Sequence, residues 1–295
     1  MTREQFDVLA LLEEKRENVT PEELDARKEI LAELTAEGLV ENGMITLKGI
    51  CALEPYRVKR AVIIAAGFGS RMVPITLNTP KPLVRVHGKR IIEGILDAIV
   101  HAGIEEIYIV RGYLGEQFDQ LLYKYPMIKF VENPLYNEAN NISSAMLTRH
   151  MLRNAYVFEA DLLLHNESLI KKYHYCSNFL GIPVSESNDW CFVTENGIIK
   201  EQKTDGGTLA DINQDTQKLY QEVGISYWSA EDGEKLETHI RQVYEMPGGK
   251  ARYWDQVPLN FFIQEYDVEI RECQFEDIIE IDTYAELKVV DPVYV

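Results

Sequence analysis

The chain has 295 residues, with 46% hydrophobic and 26% charged side chains and a net charge of −18. That length buries a sizeable core and suits one large or two modest domains, and no apolar run reaches the ~18 residues of a membrane span. The acidic balance argues against broad affinity for nucleic acid or membrane surfaces, but leaves room for a small anion in a local basic pocket.

The first segment, 1–57, reads as helix, helix, helix, hairpin. Phe6, Leu9 and Leu12 recur at helical spacing. In "NVTPEELDARKE", Thr20 is an N-cap, Pro21 opens the helix and Glu23 completes a capping box. A further helix over "RKEILAELTAEG" stops at Gly38, and "LVENGMITL" folds back around Asn42-Gly43. This order is winged-helix-like. The segment carries thirteen acidic residues against seven basic ones, and Glu29, Glu33 and Glu37 lie on the would-be recognition helix. Phosphates would repel that face, so a protein-contact module, one that brings copies into a homo-oligomer, is expected rather than a DNA reader. The start "MTREQFDVLALLEEKREN" lacks a signal-peptide core, and Cys51, Cys176, Cys191 and Cys273 form no CxxC pair. A cytoplasmic protein without disulfides or zinc is expected.

From residue 58 to 295 the rhythm changes. "RAVIIAA" is a buried strand, "KRIIEGILDAIVHAG" a helix and "EEIYIVRGY" a strand. "GEQFDQLLYKY" is a helix, "IKFVEN" a strand, "NISSAMLTRHML" a helix and "AYVFEADLLL" a strand. This alternation predicts an α/β fold with a doubly wound, mostly parallel sheet. An aromatic-rich lobe follows over about 180–260, then a strand "DIIEID" and a helix "TYAELKVVD".

Ligands of such sheets bind at the carboxyl ends of the strands. The first strand ends in "AAGFGSRMVPITLNTPKPLV", where Gly67 and Gly69 let backbone N–H groups approach a phosphate. Two familiar glycine motifs fail. "GFGSRM" does not continue as GxxxxGK[ST], and Met72 occupies the last glycine position of GxGxxG. Arg71 and Lys81 place two basic residues around this glycine turn in an otherwise acidic chain. Asp161 ends an apolar strand, and Glu280 and Asp282 alternate with isoleucines so that both face one way. Asp282 as a cap of the last helix, with Glu286 four residues on, is the competing reading. Trp190, Trp228 and Trp254 all fall in the aromatic lobe, with Asp189, Tyr227, Tyr253 and Asp255 beside them. They read either as a cage for an organic cation or as ordinary core.

The pattern GxGSRxxPxTxxxPKPL resembles that of nucleotidyltransferases which activate sugars and alcohol phosphates with nucleoside triphosphates. The resemblance implies that Ala66, Gly67 and Gly69 line the nucleotide while Arg71 and Lys81 contact its triphosphate. "DIIEIDTYAEL" is similar to the late acidic motif of cytidylyltransferases, which implies that Asp161, Glu280 and Asp282 hold Mg²⁺. Over about 59–290 the chain is similar to bacterial CTP:phosphocholine cytidylyltransferases, through "GYLGEQFD", "NDWCFV", "GISYWSA", "YWDQ" and "EIDT" as well as the glycine stretch. That likeness implies a choline cage of Trp190, Tyr227, Trp228 and Trp254, with Asp189 or Asp255 balancing the charge. Asn141 and Ser143 become nucleotide contacts. Residues 1–57 have no counterpart in the minimal enzymes of that group.

The expected reaction joins CTP and phosphocholine to give CDP-choline and pyrophosphate, with Mg²⁺ as cofactor. Phosphoethanolamine, an aminoalkylphosphonate or a sugar phosphate are the alternative acceptors. A transcription regulator using a degenerate transferase domain as a nucleotide sensor is the alternative from another class; the acidic N-terminal segment argues against it.

Overall fold

A computed structural model describes residues 1–15 and 18–295. The chain divides into two units, Met1–Arg57 with Tyr173–Tyr175, and Val58–Lys172 with Cys176–Val295.

In the smaller unit, the helix Arg3–Lys15 buries Phe6, Val8, Leu9 and Leu12. Thr20 and Glu23 cap the short helix Pro21–Asp25 reciprocally. The helix Lys28–Ala36 gives way to Gly38 in the left-handed region, at φ +74°. Asn42 and Gly43 both have positive φ (52° and 77°), which closes the tight turn between Val40–Glu41 and Met44–Ile45. A fourth helix, Leu47–Leu53, is capped by Thr46 and was not anticipated. Leu9, Leu12, Leu34 and Leu53 form the core, beside a ring cluster of Phe6, Tyr56 and Tyr175.

The larger unit is built on nine strands: β1 (Arg60–Ile64), β2 (Glu106–Arg111), β3 (Ile128–Glu132), β4 (Ala155–Glu159), β5 (Asn178–Pro183), β6 (Cys191–Glu195), β7 (Ile198–Lys203), β8 (Gln217–Trp228) and β9 (Glu269–Glu272). Their order is β5-β9-β7-β6-β8-β4-β1-β2-β3, and β5 also pairs with β8. The strands β3-β2-β1-β4 are parallel, as the β–α rhythm predicts. Consecutive residues of β1 serve opposite faces: Ala61 and Ile63 pack with the helix Ile91–His101, and Val62 with Ile142, Leu236 and Ile240 on the other side. This is the doubly wound arrangement.

The expectation of a mostly parallel sheet needs correction. From β4 onward the pairings β4–β8, β8–β6, β6–β7, β7–β9 and β5–β8 are antiparallel. The reason is local. Asn196 and Gly197, both at positive φ (50° and 79°), make a two-residue turn between β6 and β7. Such a turn can join only antiparallel neighbours. Two further differences bear on the site. "GEQFDQLLYKY" forms a 3₁₀ helix, Gly115–Tyr123. "AYVFEADLLL" is not one strand. β4 ends at Glu159, the chain bends through Ala160 and Asp161, and Leu162–Leu164 pairs with Ile278–Glu280 instead.

Candidate active site

A cavity of about 450 Å³ opens at the carboxyl ends of β1 and β4. The glycine loop forms one side of it. Gly69 takes φ +68°, and a Cβ there would lie 3.1 Å from Lys81 Cβ and 3.3 Å from Thr76 Cγ2. Glycine is thus required both by conformation and by the close passage of the lysine. The Thr76 hydroxyl donates to the Gly69 carbonyl at 2.9 Å and holds the loop closed.

Lys81 is buried, and its Nζ lies 2.8 Å from both Asp161 Oδ2 and Asp282 Oδ1. Burial alone would pull its pKa down, but Asp161 and Asp282 outweigh it and hold the ammonium above the ordinary lysine value. Arg71 donates to the same Asp282 Oδ1 at 2.7 Å, with 65% of its side chain exposed. Asp282 reaches this position because Thr283, not Asp282, caps the last helix. The pairing of Leu162 with Glu280, and the Ile281 N–H donated to the Asp161 carbonyl at 3.1 Å, bring the two acidic segments together.

Glu159, Asp161 and Glu280 each bring a carboxylate oxygen within 4.8 Å of the others. Asp161 Oδ1 is buried without a partner. Burial raises the Glu159 pKa well above the carboxylate range, and Asp161 and Glu280 push it further. Glu280, whose side chain opens to the solvent of the cavity, is raised too, by its protein surroundings and then by Asp161 and Asp282. Like charges this close, with an orphaned hard oxygen among them, suit a divalent cation. The expected metal set was Asp161, Glu280 and Asp282. The carboxylates that cluster are those of Glu159, Asp161 and Glu280, while Asp282 is engaged by Arg71 and Lys81.

The other residues expected at the site divide. Gly67, Gly69, Asn141, Asp189, Trp190 and Asp255 line the cavity together with Arg71, Lys81, Asp161, Glu280 and Asp282. Asn141 accepts from the Trp254 N–H at 2.8 Å. Ala66 and Ser143 are buried behind the cavity. The Ala66 carbonyl accepts from Tyr113 N–H, and Ser143 is bonded to Asn133 and Asn140. Three aromatic residues expected around an organic cation are core instead. Tyr227 packs against Tyr156 and donates to Asn154 at 3.1 Å. Trp228 and Trp254 pack on one another and on Phe179, and Trp228 Nε1 donates to Ser226. Tyr227 and Trp228 are covered because the far end of β8 runs between β4 and β5, flanked on both sides, while its Glu222–Gly224 portion borders the cavity. The ring that accompanies Trp190 is Tyr253, 4.8 Å away and edge-on.

Residues that sequence reasoning missed are Glu159, Glu222, Gly224 and Asn140. Glu159 stands two residues before Asp161, a spacing that strand alternation would have flagged. Glu222 carried no such signal, because only the register of β8 brings it here. Nor is the cavity a basic pocket. Glu159, Asp161, Asp189, Glu222, Asp255, Glu280 and Asp282 line it, against Arg71 and Lys81 alone.

The arrangement has known counterparts. A nucleotidyl transferase family model matches residues 60–173. A 2-aminoethylphosphonate cytidylyltransferase from Lancefieldella rimae is 37% identical over 238 residues, covering 80% of this chain and 93% of that protein. The chain belongs to the nucleotidyl transferase family. Another relative of this nucleotidyl transferase is the choline-phosphate cytidylyltransferase of Streptococcus pneumoniae, 32% identical over 79% of this chain and 97% of that one. The solved structure of CTP:phosphocholine cytidylyltransferase from Streptococcus pneumoniae superposes with a TM-score of 0.71 at 30% identity, over 81% of this chain and 100% of that one.

Proposed function

We propose that the protein is a Mg²⁺-dependent cytidylyltransferase that joins CTP to a small phosphate or phosphonate bearing a cationic nitrogen, and releases pyrophosphate. The observation that carries this is Lys81 held between Asp161 and Asp282 beside the glycine loop. An anionic oxygen of the acceptor attacks the α-phosphorus of CTP as the bond to the bridging oxygen of pyrophosphate breaks. That oxygen is already ionised near neutral pH, so no general base is needed. Lys81 and Arg71 neutralise charge that develops on the α-phosphate and the leaving group, and the fixed geometry supplies the rest. Glu159, Asp161 and Glu280 are the residues that would hold Mg²⁺. The ion, when bound, offsets triphosphate charge that the acidic cavity would otherwise repel.

The cytidylyltransferase relatives support CTP as donor, and the acceptors they are named for both pair a phosphorus oxyanion with a cationic nitrogen. Asp189, Glu222 and Asp255 beside Trp190 and Tyr253 suit such a head group. Support for choline in particular weakens, because Trp190 is the one cavity-lining member of the four-ring cage. The smaller unit, with its short helices, tight hairpin and acidic balance, is read as a winged-helix-like protein-contact module.

The test is pyrophosphate release across four nucleoside triphosphates, each offered with 2-aminoethylphosphonate, phosphoethanolamine, phosphocholine and glucose 1-phosphate. Turnover with CTP and an amine-bearing acceptor is expected, and is expected to vanish with EDTA. Turnover confined to the sugar phosphate, or to another triphosphate, would contradict the reading.

A further inference from the structure

The end of the cavity around Trp190 contains an excess of hydrogen-bond acceptors over donors. Asp255 is 3% exposed, lines the cavity, and its Oδ1 has no partner. Gln202, on β7, is 4% exposed. Its Nε2 donates to Glu222 Oε2 at 2.8 Å and to Asp255 Oδ2, so the amide joins the two carboxylates. The Gln202 Oε1 is buried without a partner as well. Glu222 is set beside the aromatic wall through its backbone, whose N–H donates to the Trp190 carbonyl at 2.8 Å. One amide NH₂ therefore serves two carboxylates, and Asp255 Oδ1 and Gln202 Oε1 are left without a donor. A buried acceptor without a donor is costly, and such groups are rare unless a ligand completes them.

A quaternary ammonium brings positive charge but no N–H, and would leave Asp255 Oδ1 unsatisfied. A primary ammonium brings charge and three donors. Discrimination by hydrogen bonding is also stronger than discrimination by apolar fit, because the wrong ligand strands the buried polar groups.

We propose that Glu222 and Asp255, joined by Gln202, form a primary-ammonium site that makes the enzyme select amino-bearing acceptors over their trimethylated analogues. This rests on the reading that the acceptor's cationic nitrogen occupies this end of the cavity. Trp190 and Tyr253 then border the methylenes of the acceptor, and the carboxylates take its ammonium.

The experiment compares phosphoethanolamine, its N-methyl and N,N-dimethyl derivatives, and phosphocholine. Along this series each N–H is replaced in turn by an N-methyl group while the positive charge is kept. Binding is followed by titration calorimetry, without nucleotide and with CMP, which cannot transfer; pyrophosphate release with CTP is measured in parallel. Affinity is expected to fall with each methyl group, by ~10²-fold over the series. Glu222→Gln and Asp255→Asn are expected to weaken phosphoethanolamine by a similar factor and phosphocholine, which loses only the charge attraction, by clearly less, narrowing the preference. Equal or tighter binding of phosphocholine, variants that weaken both ligands alike, or no binding of either ligand in both conditions would overturn the site. Should a variant not fold, the methylation series on the wild-type protein decides alone. A graded preference in binding without any pyrophosphate release would refute the transfer reaction and leave the ammonium site standing.

Discussion

Lys81 is bound on both sides by carboxylates at 2.8 Å, and Arg71 reaches the same aspartate from a largely exposed position. Transition-state charge is stabilised most by cations that are already fixed and shielded from water. Lys81→Ala should therefore lower kcat by ~10²–10³-fold, and Arg71→Ala by less, since water screens an exposed charge. Pyrophosphate-release kinetics beside far-UV circular dichroism would check this; near-normal turnover of a folded Lys81→Ala protein would remove the lysine from its role. Both cations and the glycines were legible in the sequence, because their spacing follows from a single strand–loop unit, and Asp161 because it follows an apolar strand. The cage was not. An indole that packs in a core and one that packs on a cation are the same residue, and Trp228 and Trp190 differ only in which strand end they occupy.

At the scale of elements, the site depends on where strands stop. β4 ends at Glu159, and the bend through Ala160 and Asp161 turns both acids towards the cavity. β8 passes beside it and has a glycine at the crossing. A Cβ on Gly224 would lie 2.6 Å from Glu159 Cγ and 2.8 Å from its Oε2. Gly224→Ala should therefore displace the Glu159 carboxylate. The expected result is a loss of ~1–3 kcal/mol in stability and a raised Mg²⁺ requirement for turnover. Thermal melts and a Mg²⁺ titration of the rate would show it; an unchanged metal dependence would count against Glu159 as a ligand. The turn at Asn196-Gly197 is a hairpin signal and makes β6 and β7 antiparallel, within the half of the sheet that turns antiparallel at the β4–β8 pairing. The bend at Asp161 was not, because "AYVFEADLLL" is apolar throughout and reads as one strand until its second half finds Ile278–Glu280.

For the molecule as a whole, the acidic cavity should set how stability responds to pH. Burial and neighbouring carboxylates raise Glu159 and Glu222 well above the ordinary range, burial raises Asp255, and the protein surroundings with Asp161 and Asp282 raise Glu280. Asp161, Asp189 and Asp282 face the same space, with Lys81 and Arg71 as the opposing charges. A carboxyl with a raised folded-state pKa binds its proton more tightly folded than unfolded. Its contribution is complete below the unfolded value near 4 and is lost as pH rises through the folded value. Metal-free protein should accordingly melt higher at mildly acidic pH than at pH 8, as far as these groups govern. Mg²⁺ at a hundred times its Kd should restore about 2.7 kcal/mol at pH 8 and flatten the profile. Scanning calorimetry with and without EDTA reads both effects; a metal-free protein whose stability climbs steadily from pH 6 to 8 would contradict them.

Local order sufficed for much of this protein. Strand-and-helix rhythm, a glycine loop with its two cations and alternating acids near the carboxyl terminus point to nucleotidyl transfer, because each is written within about twenty consecutive residues. Tertiary structure alone brings together the polar groups at the Trp190 end of the cavity. Glu222, Gln202 and Asp255 meet from β8, β7 and the loop after Tyr253, and their chemistry depends on which oxygens are left without donors once the strands have paired. Burial, register and hydrogen-bond satisfaction are properties of the folded chain, and they turned a proposed ring cage into a nest of acceptors.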